Sequence, residues 1–323
     1  MAFSSTFFPY FDPQDQVFQV RDAPVIRDDD RYDALGTKYV PFRTTADDGL
    51  VLAGREYGIG DYYRPAVLCI PGHNRNSRDF EPLAKHFTRV ESGYRVVLVD
   101  LRGRGESGYD PAPGNYNPIT ESKDVMTIIE RLSLHKPIVI GTSRGGIVAM
   151  TIASLRPNPF SGVVLNDIGP VVGLRGILKL KRVYGTIPTL RTWEEAARWV
   201  GFATRQEFPY LDRQAHERIA HRVFRDRGNR IVVDHDPNIR NELKYVTPLT
   251  ILPQMWTQFA ALTGCPVLAL RGKHSSVLSE TTLTTMRSLH PRMSSYTVPN
   301  EGHAPLLEDR VTLERIGLFL KSC

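Results

Sequence analysis

Cysteine is scarce in this chain: three among 323 residues, Cys69, Cys265 and Cys323, with neither a metal-ligand spacing nor a disulfide framework. That scarcity argues against a disulfide-stapled secreted scaffold and a cysteine metal site, and fits a reducing cytoplasm. Long apolar runs are missing as well. Nothing approaches the roughly 18 residues needed to cross a bilayer, so no membrane partner is expected. Residues 1–10 are aromatic and polar, without a basic n-region or a continuous apolar h-region, so a secretory leader is not expected either. Internal repeats and low-complexity tracts are absent. Charge of one sign is not in large excess: the net charge is +6, and much of the basic surplus lies between Arg205 and Arg230, interleaved with Glu and Asp. Such a stretch reads as a solvated helical face rather than a nucleic-acid surface, while leaving room for attraction of small anionic substrates.

What is present is the composition of a soluble globular protein, 41% hydrophobic and 24% charged. The length suits one large α/β domain with an insertion, or two ordinary domains. Residues 1–36, with several Pro and the Asp28-Asp29-Asp30 run, carry no sustained periodicity and read as an N-terminal extension. Residues 39–44 and 50–57, joined by Asp47-Asp48-Gly49, predict a hairpin. Short β-branched runs at 66–70 and 95–100, with helical periodicity between them, predict strands buried on both faces. Helix 119–133, strand 137–142, helix 145–155 and strand 161–167 continue the alternation. It resumes at strand 266–271, helix 282–289, strand 294–298 and helix 312–320. Strands alternating with helices predict a mostly parallel sheet covered on both sides, the core being residues 37–169 and 263–323. Residues 170–262 break the rhythm. They are helix-rich, carry Trp193, Trp199 and Trp256, and fall between consecutive strands, the sixth and the seventh. An insertion there would rise over the strand carboxyl ends, as a helical cap.

The chemistry concentrates at strand ends. Gly141-Thr142-Ser143-Arg144-Gly145 follows the apolar run 137–140 and precedes a helix. A serine in G-x-S-x-G at a strand-to-helix turn has its hydroxyl exposed, and the flanking glycines let the two backbones approach. Ser143 is therefore the candidate nucleophile. His303, in Gly302-His303-Ala304-Pro305 after the last predicted strand, is the candidate base. The oxyanion donors would be the backbone N–H of Arg144 and that of His73, in the Pro71-Gly72-His73-Asn74 loop.

With these segments in order, the chain resembles the α/β-hydrolase superfamily, in the branch with a helical cap. The resemblance rests on residues 71–80, on Asp100-Leu101-Arg102-Gly103-Arg104-Gly105-Glu106-Ser107, on the elbow, on Leu165-Asn166-Asp167-Ile168-Gly169-Pro170 and on 302–305. It covers roughly residues 38–323. It implies the α/β-hydrolase fold, with the cap inserted after the sixth strand and a hydrolase activity that needs no cofactor and no metal. In relatives the acid of the triad usually follows the seventh strand. Here that loop reads Arg271-Gly272-Lys273-His274-Ser275-Ser276, with Ser276 at the carboxylate position.

Three readings of the acid stand open. Asp167, at the end of the sixth strand, supplies the carboxylate. Ser276 completes a weaker Ser–His–Ser arrangement. Or the hydrolytic cycle is impaired. Asp236, in His235-Asp236-Pro237, is a remote further candidate. The Arg144 guanidinium either reaches the pocket to hold a substrate carboxylate or forms a structural ion pair, and Trp193 and Trp256 are candidate pocket-lining residues against a prior of simple core packing. The leading expectation is a cytoplasmic serine hydrolase, monomer or homodimer. It would cleave an ester or lactone of a small to medium organic acid through an acyl-enzyme. Its alternatives are a C–C hydrolase of a β-diketone-type substrate, a non-hydrolytic lyase, cyclase or cofactor-free oxygenase using the His base, and a ligand-binding inactive paralogue.

Overall fold

The computed structural model describes residues 24–58, 64–89, 93–185 and 187–323. The expectations for the first residues of the chain fall outside these. Strands β1 (Ile26–Arg27) and β2 (Arg31–Tyr32) pair antiparallel with β3 (Lys38–Thr45), so part of the extension lies along the sheet edge. β3 returns as β4 (Val51–Tyr57) through a turn whose Gly49 sits at φ +90°, open to glycine without steric cost.

Then come β5 (Val67–Ile70), α1 (Glu81–Thr88), β6 (Val96–Asp100), α2 (Pro118–Arg131), β7 (Ile138–Thr142), α3 (Arg144–Leu155) and β8 (Gly162–Asn166). After β8 the chain leaves the sheet for α4 (Leu174–Gly185), α5 (Trp193–Thr204), α6 (Arg213–Val223), the hairpin β9 (Phe224–Asp226) and β10 (Ile231–Val233), a 3-10 helix at Pro237–Leu243, and α7 (Trp256–Ala260). It returns as β11 (Val267–Gly272), α8 (Glu280–Leu289), β12 (Met293–Val298) and α9 (Arg310–Lys321). The hairpin departs from the all-helical reading of Arg205 to Arg230. Its Phe224 and Ile231 bury between α5 and α6, which fixes extended backbone there.

The ten strands run β1-β3-β4-β6-β5-β7-β8-β11-β12, with β2 beside β3. From β5 to β12 the pairs are parallel. Because side chains alternate across a strand, each inner strand feeds two cores. Leu68, Val97, Val139, Val163 and Val267 pack under α2 and α3, while Val67, Val96, Ile138, Val164 and Leu268 pack under α1 and α9. That is why these strands read as continuous apolar runs. Local capping sharpens the helix starts. Asn117 accepts the N–H groups of Ile119 and Thr120 ahead of Pro118, and Asp309 accepts that of Thr312.

Two consequences place the site. The order reverses between β5 and β7, which puts the loop after β5 beside the turn after β7. And the segment between β8 and β11 lies over these carboxyl ends. Within it Leu190, Ala197, Val200, Ile219, Phe224 and Ile231 make a small core of their own, whereas Val172, Ile177, Val246, Met255 and Phe259 join the main core. Among the described residues no helix is long and apolar enough to cross a membrane.

Candidate active site

Ser143 caps the start of α3 at φ +50°, ψ −109°, a strained conformation for a residue with a side chain. The strain is held by close packing. A Cβ on Gly145 would overlap the carbonyl oxygen of Ile70, and one on Gly141 would overlap the Gly145 backbone. The turn therefore exists only because both positions are glycine.

From Ser143 a hydrogen-bond chain runs across three strand ends. Ser143 Oγ lies 2.9 Å from His303 Nε2, and His303 Nδ1 lies 2.7 Å from Asp167 Oδ2. Asp167 follows β8 directly, fully buried, at φ +56°. Its N–H donates to Leu270 O of β11 at 2.8 Å, its Oδ1 accepts the Gly272 N–H at 2.9 Å, and its Oδ2 accepts the Ser275 hydroxyl at 2.5 Å. The loop bearing His303 is tied down beside it: Asn166 Nδ2 donates to Pro305 O and to Thr142 Oγ1, and Glu301 accepts the Leu306 N–H and the Tyr210 hydroxyl.

The structure thus brings Ser143, His303 and Asp167 together and leaves Ser276 out. Ser276 Oγ donates instead to Glu207 Oε1 at 3.2 Å, and Glu207 pairs with Lys179 at 2.9 Å. The Ser–His–Ser reading fails because the imidazole Nδ1 is already directed at the Asp167 carboxylate. Asp236 is also elsewhere, capping the 3-10 helix and accepting the Tyr116 hydroxyl at 2.5 Å. Ser275, one residue before Ser276, is the neighbour that sequence reasoning missed. Its hydroxyl donates to Asp167 and accepts the N–H groups of Val277 and Leu278. The loop that would carry an acid here supports one from the adjacent strand.

Arg144 is the first residue of α3, and its N–H follows the nucleophile directly. Gly72 and His73 line the same cavity as Ser143. The Arg144 side chain turns the other way. Its guanidinium is buried against Glu242 and lies 3.5 Å from Glu121, so the reading in which it holds a substrate carboxylate is corrected to a buried ion pair. Glu242 Oε2 also lies 2.5 Å from His73 Nε2. Burial pushes the Glu242 carboxyl up to about 7, with Arg144 and Arg104 pulling against the rise. Burial, then the charges of Arg144 and Arg104, hold His73 well below the usual histidine range, so its ring is neutral.

A cavity of about 210 Å³ opens above Ser143 between the strand ends and the inserted segment. Leu180, Val183, Trp199, Val200, Phe208 and Val223 give it apolar walls, and Lys179, Glu207 and Ser276 form a polar spot. Trp193 and Trp256 do not line it, which corrects both assignments. Trp193 stacks on His221, with ring centroids 3.8 Å apart, while Trp256 packs against the main core and donates its indole N–H to Gln254. Trp199, the third tryptophan, is the one that reaches the cavity. Among the described residues no group of three or more His, Cys, Asp or Glu side chains is placed to hold a metal ion.

A parallel sheet with a serine elbow after one strand, a carboxylate after the next and a histidine after a farther one is the architecture of a hydrolase. Residues 67–315 match the alpha/beta hydrolase family, and the chain belongs to it. It is 30% identical over 257 residues to a 3-hydroxybutyrate-oligomer hydrolase of Cupriavidus necator, covering 77% of this chain and 86% of that protein. It is 25% identical over 256 residues to an sn-1-specific diacylglycerol lipase of Mus musculus, 76% of each. Among solved structures it is similar to an alpha/beta hydrolase from Novosphingobium aromaticivorans, with a TM-score of 0.82 and 35% identity over 89% of this chain and 99% of that one. The protein is a hydrolase with ester-cleaving relatives.

Proposed function

We propose that the protein is a serine hydrolase that cleaves an ester of a small to medium organic acid through an acyl-enzyme, with the inserted segment, residues 170–262, acting as its cap. The observation that carries this reading is the unbroken chain Ser143–His303–Asp167 opening on an apolar cavity. Ser143 Oγ attacks the ester carbonyl carbon while its proton passes to His303 Nε2. Asp167, bonded to Nδ1, fixes the tautomer and offsets the imidazolium charge. The N–H groups of Arg144 and His73 hold the oxyanion. His303 then gives the proton to the departing alkoxide, and the alcohol leaves. Water, deprotonated by the same nitrogen, releases the acid and restores Ser143.

Asp167 also supplies the carboxylate that Ser276 lacks, which removes the motive for the non-hydrolytic and inactive-paralogue readings. The apolar walls suit an acyl chain, and the Lys179–Glu207–Ser276 spot suits a hydroxyl or carbonyl farther along the substrate. An ester of a hydroxy acid has both features, and the Cupriavidus relative is a 3-hydroxybutyrate-oligomer hydrolase. The test is labelling with a fluorophosphonate, coupled to hydrolysis of p-nitrophenyl esters of increasing acyl length. An adduct on Ser143, lost together with turnover in Ser143→Ala, is the expected result. A folded wild-type protein that takes no adduct sinks the proposal.

A further inference from the structure

The two residues whose N–H groups would hold the oxyanion are held, by their side chains, by one carboxylate oxygen that comes from outside the core. Glu242 belongs to the 3-10 helix at Pro237–Leu243, within the segment between β8 and β11. Its Oε2 accepts from Arg144 Nη2 and lies 2.5 Å from His73 Nε2. In its ionised form the carboxylate takes the Nε2–H of a neutral His73 and the Arg144 proton at one point. The other side of His73 is fixed too. Arg104 Nε donates to the His73 carbonyl oxygen at 2.9 Å, and Arg104 Nη1 donates to Glu121 Oε1 at 2.7 Å. Glu242, Arg104, Arg144, Glu121 and His73 are all buried.

We infer that Glu242 is a positioning residue for the oxyanion hole: it sets the aim of the His73 and Arg144 peptides, and it does so only while its segment is seated on the core. The inference rests on the serine-hydrolase reading above. Its physical basis is that an oxyanion hole works through donors already fixed where charge develops. His73 stands on a loop and Arg144 on the first turn of a helix, places where backbone direction is least constrained. A shared, buried, charge-assisted anchor removes that freedom in both at once. Glu242 is not among the residues that line the cavity, and the lining residue it holds is His73 rather than one of the apolar walls, so its loss leaves the substrate's apolar contacts in place.

The test compares wild type with Glu242→Gln, which keeps the shape and removes the charge. Three readouts are taken: kcat and KM on a p-nitrophenyl ester, the rate of Ser143 phosphonylation by a fluorophosphonate, and inhibition by an alkyl boronic acid. Interactions made only in the transition state act on kcat. The expected result is a fall of about 10- to 100-fold in kcat with KM little changed, matched by slower phosphonylation and weaker boronate binding. A kcat within about twofold of wild type overturns the inference, and so does a rise in KM with kcat kept. Should Glu242→Gln fail to fold, the double variant Arg144→Met/Glu242→Met removes both members of the pair and leaves no unpaired charge between them. It must show the same loss in kcat, and full kcat in it overturns the inference equally. A wild type that does not label at Ser143 sinks the underlying function. A wild type that labels no faster than Glu242→Gln sinks only the role of Glu242.

Discussion

Asp167 receives donors from a backbone N–H, a serine hydroxyl and an imidazole, and it does so from a left-handed backbone position that aspartate tolerates better than most residues. If it is the triad acid, Asp167→Asn loses the correct tautomer of His303, and kcat should fall by about 10⁴ with KM nearly unchanged. Ser276→Asp should lower turnover rather than raise it, since the new carboxylate would face Glu207 with like charge. Steady-state kinetics on one ester decides both, and full activity in Asp167→Asn removes Asp167 from the mechanism. His235, buried beside Arg104 and His73, has its pKa lowered from 6.5 to about 3, by burial first and the Arg104 charge next. The folded chain then binds fewer protons than the unfolded one, so the stability it contributes is present above 6.5 and is lost as pH falls toward 3. Between pH 7 and 5, His235→Gln should lose about 2 kcal/mol less stability than wild type in urea titrations. Ser143 and His303 were legible because each sits in a local pattern at a strand end. The acid was not settled by sequence, because the choice between 167 and 276 depends on which side chain the imidazole meets across adjacent parallel strands. Glu242 left no signal at all. A lone glutamate in a helical stretch is ordinary, and its partners are 98 and 169 residues away.

At the scale of elements, the elbow and the insert ask for opposite things of their residues. The turn from β7 to α3 depends on missing atoms. Gly145→Ala would drive a methyl group into the Ile70 carbonyl and displace Ser143 from His303. The variant should lose about 3 kcal/mol in thermal unfolding and about 100-fold in turnover. A stable, fully active Gly145→Ala would show that the turn has more room than its packing allows. In the insert, shape is set by what fills it. Trp199 on α5 lines the cavity and meets Phe224 edge-on, with ring centroids 5.6 Å apart. Trp199→Ala should shift the preferred ester toward longer acyl chains, each added methylene being worth about 1–3 kcal/mol in a fitted pocket. Trp256→Ala should lower the melting temperature and leave the preference alone. Acyl-chain profiles of the two variants separate the roles. The strands and helices of the core were readable within a few residues, since runs buried on both faces and amphipathic helices are local signals. The insert was readable only as helix-rich. Its hairpin is imposed by packing between α5 and α6, and which tryptophan turns inward depends on helix rotation that composition does not encode.

For the whole molecule the question is whether the insert is a separate body resting on the sheet or part of one cooperative unit. Its own small core, from Leu190 to Ile231, argues for independence. The links to the rest argue more strongly the other way. Val246, Met255, Phe259 and Leu262 bury in the same core as β7 and α3. Polar ties are spread across the seam: Arg78 with Asp234 at 2.5 Å, Tyr116 with Asp236, Tyr210 with Glu301, Arg222 with Glu308, and Glu242 with Arg144. Two of them, Tyr116–Asp236 and Glu242–Arg144, are buried at both ends, and undocking the insert would leave the Arg144 charge without Glu242, a cost of several kcal/mol for a broken buried pair. That exceeds what a small core of this kind supplies by itself. Insert and sheet should therefore unfold together. The chain offers a natural probe, because its three tryptophans, Trp193, Trp199 and Trp256, all lie between β8 and β11, so indole fluorescence reports the insert while far-ultraviolet circular dichroism reports the whole. In urea the two signals should give coincident transitions with one midpoint. An earlier fluorescence transition would mean that the insert detaches first, and that Glu242 leaves the oxyanion loop before the sheet gives way.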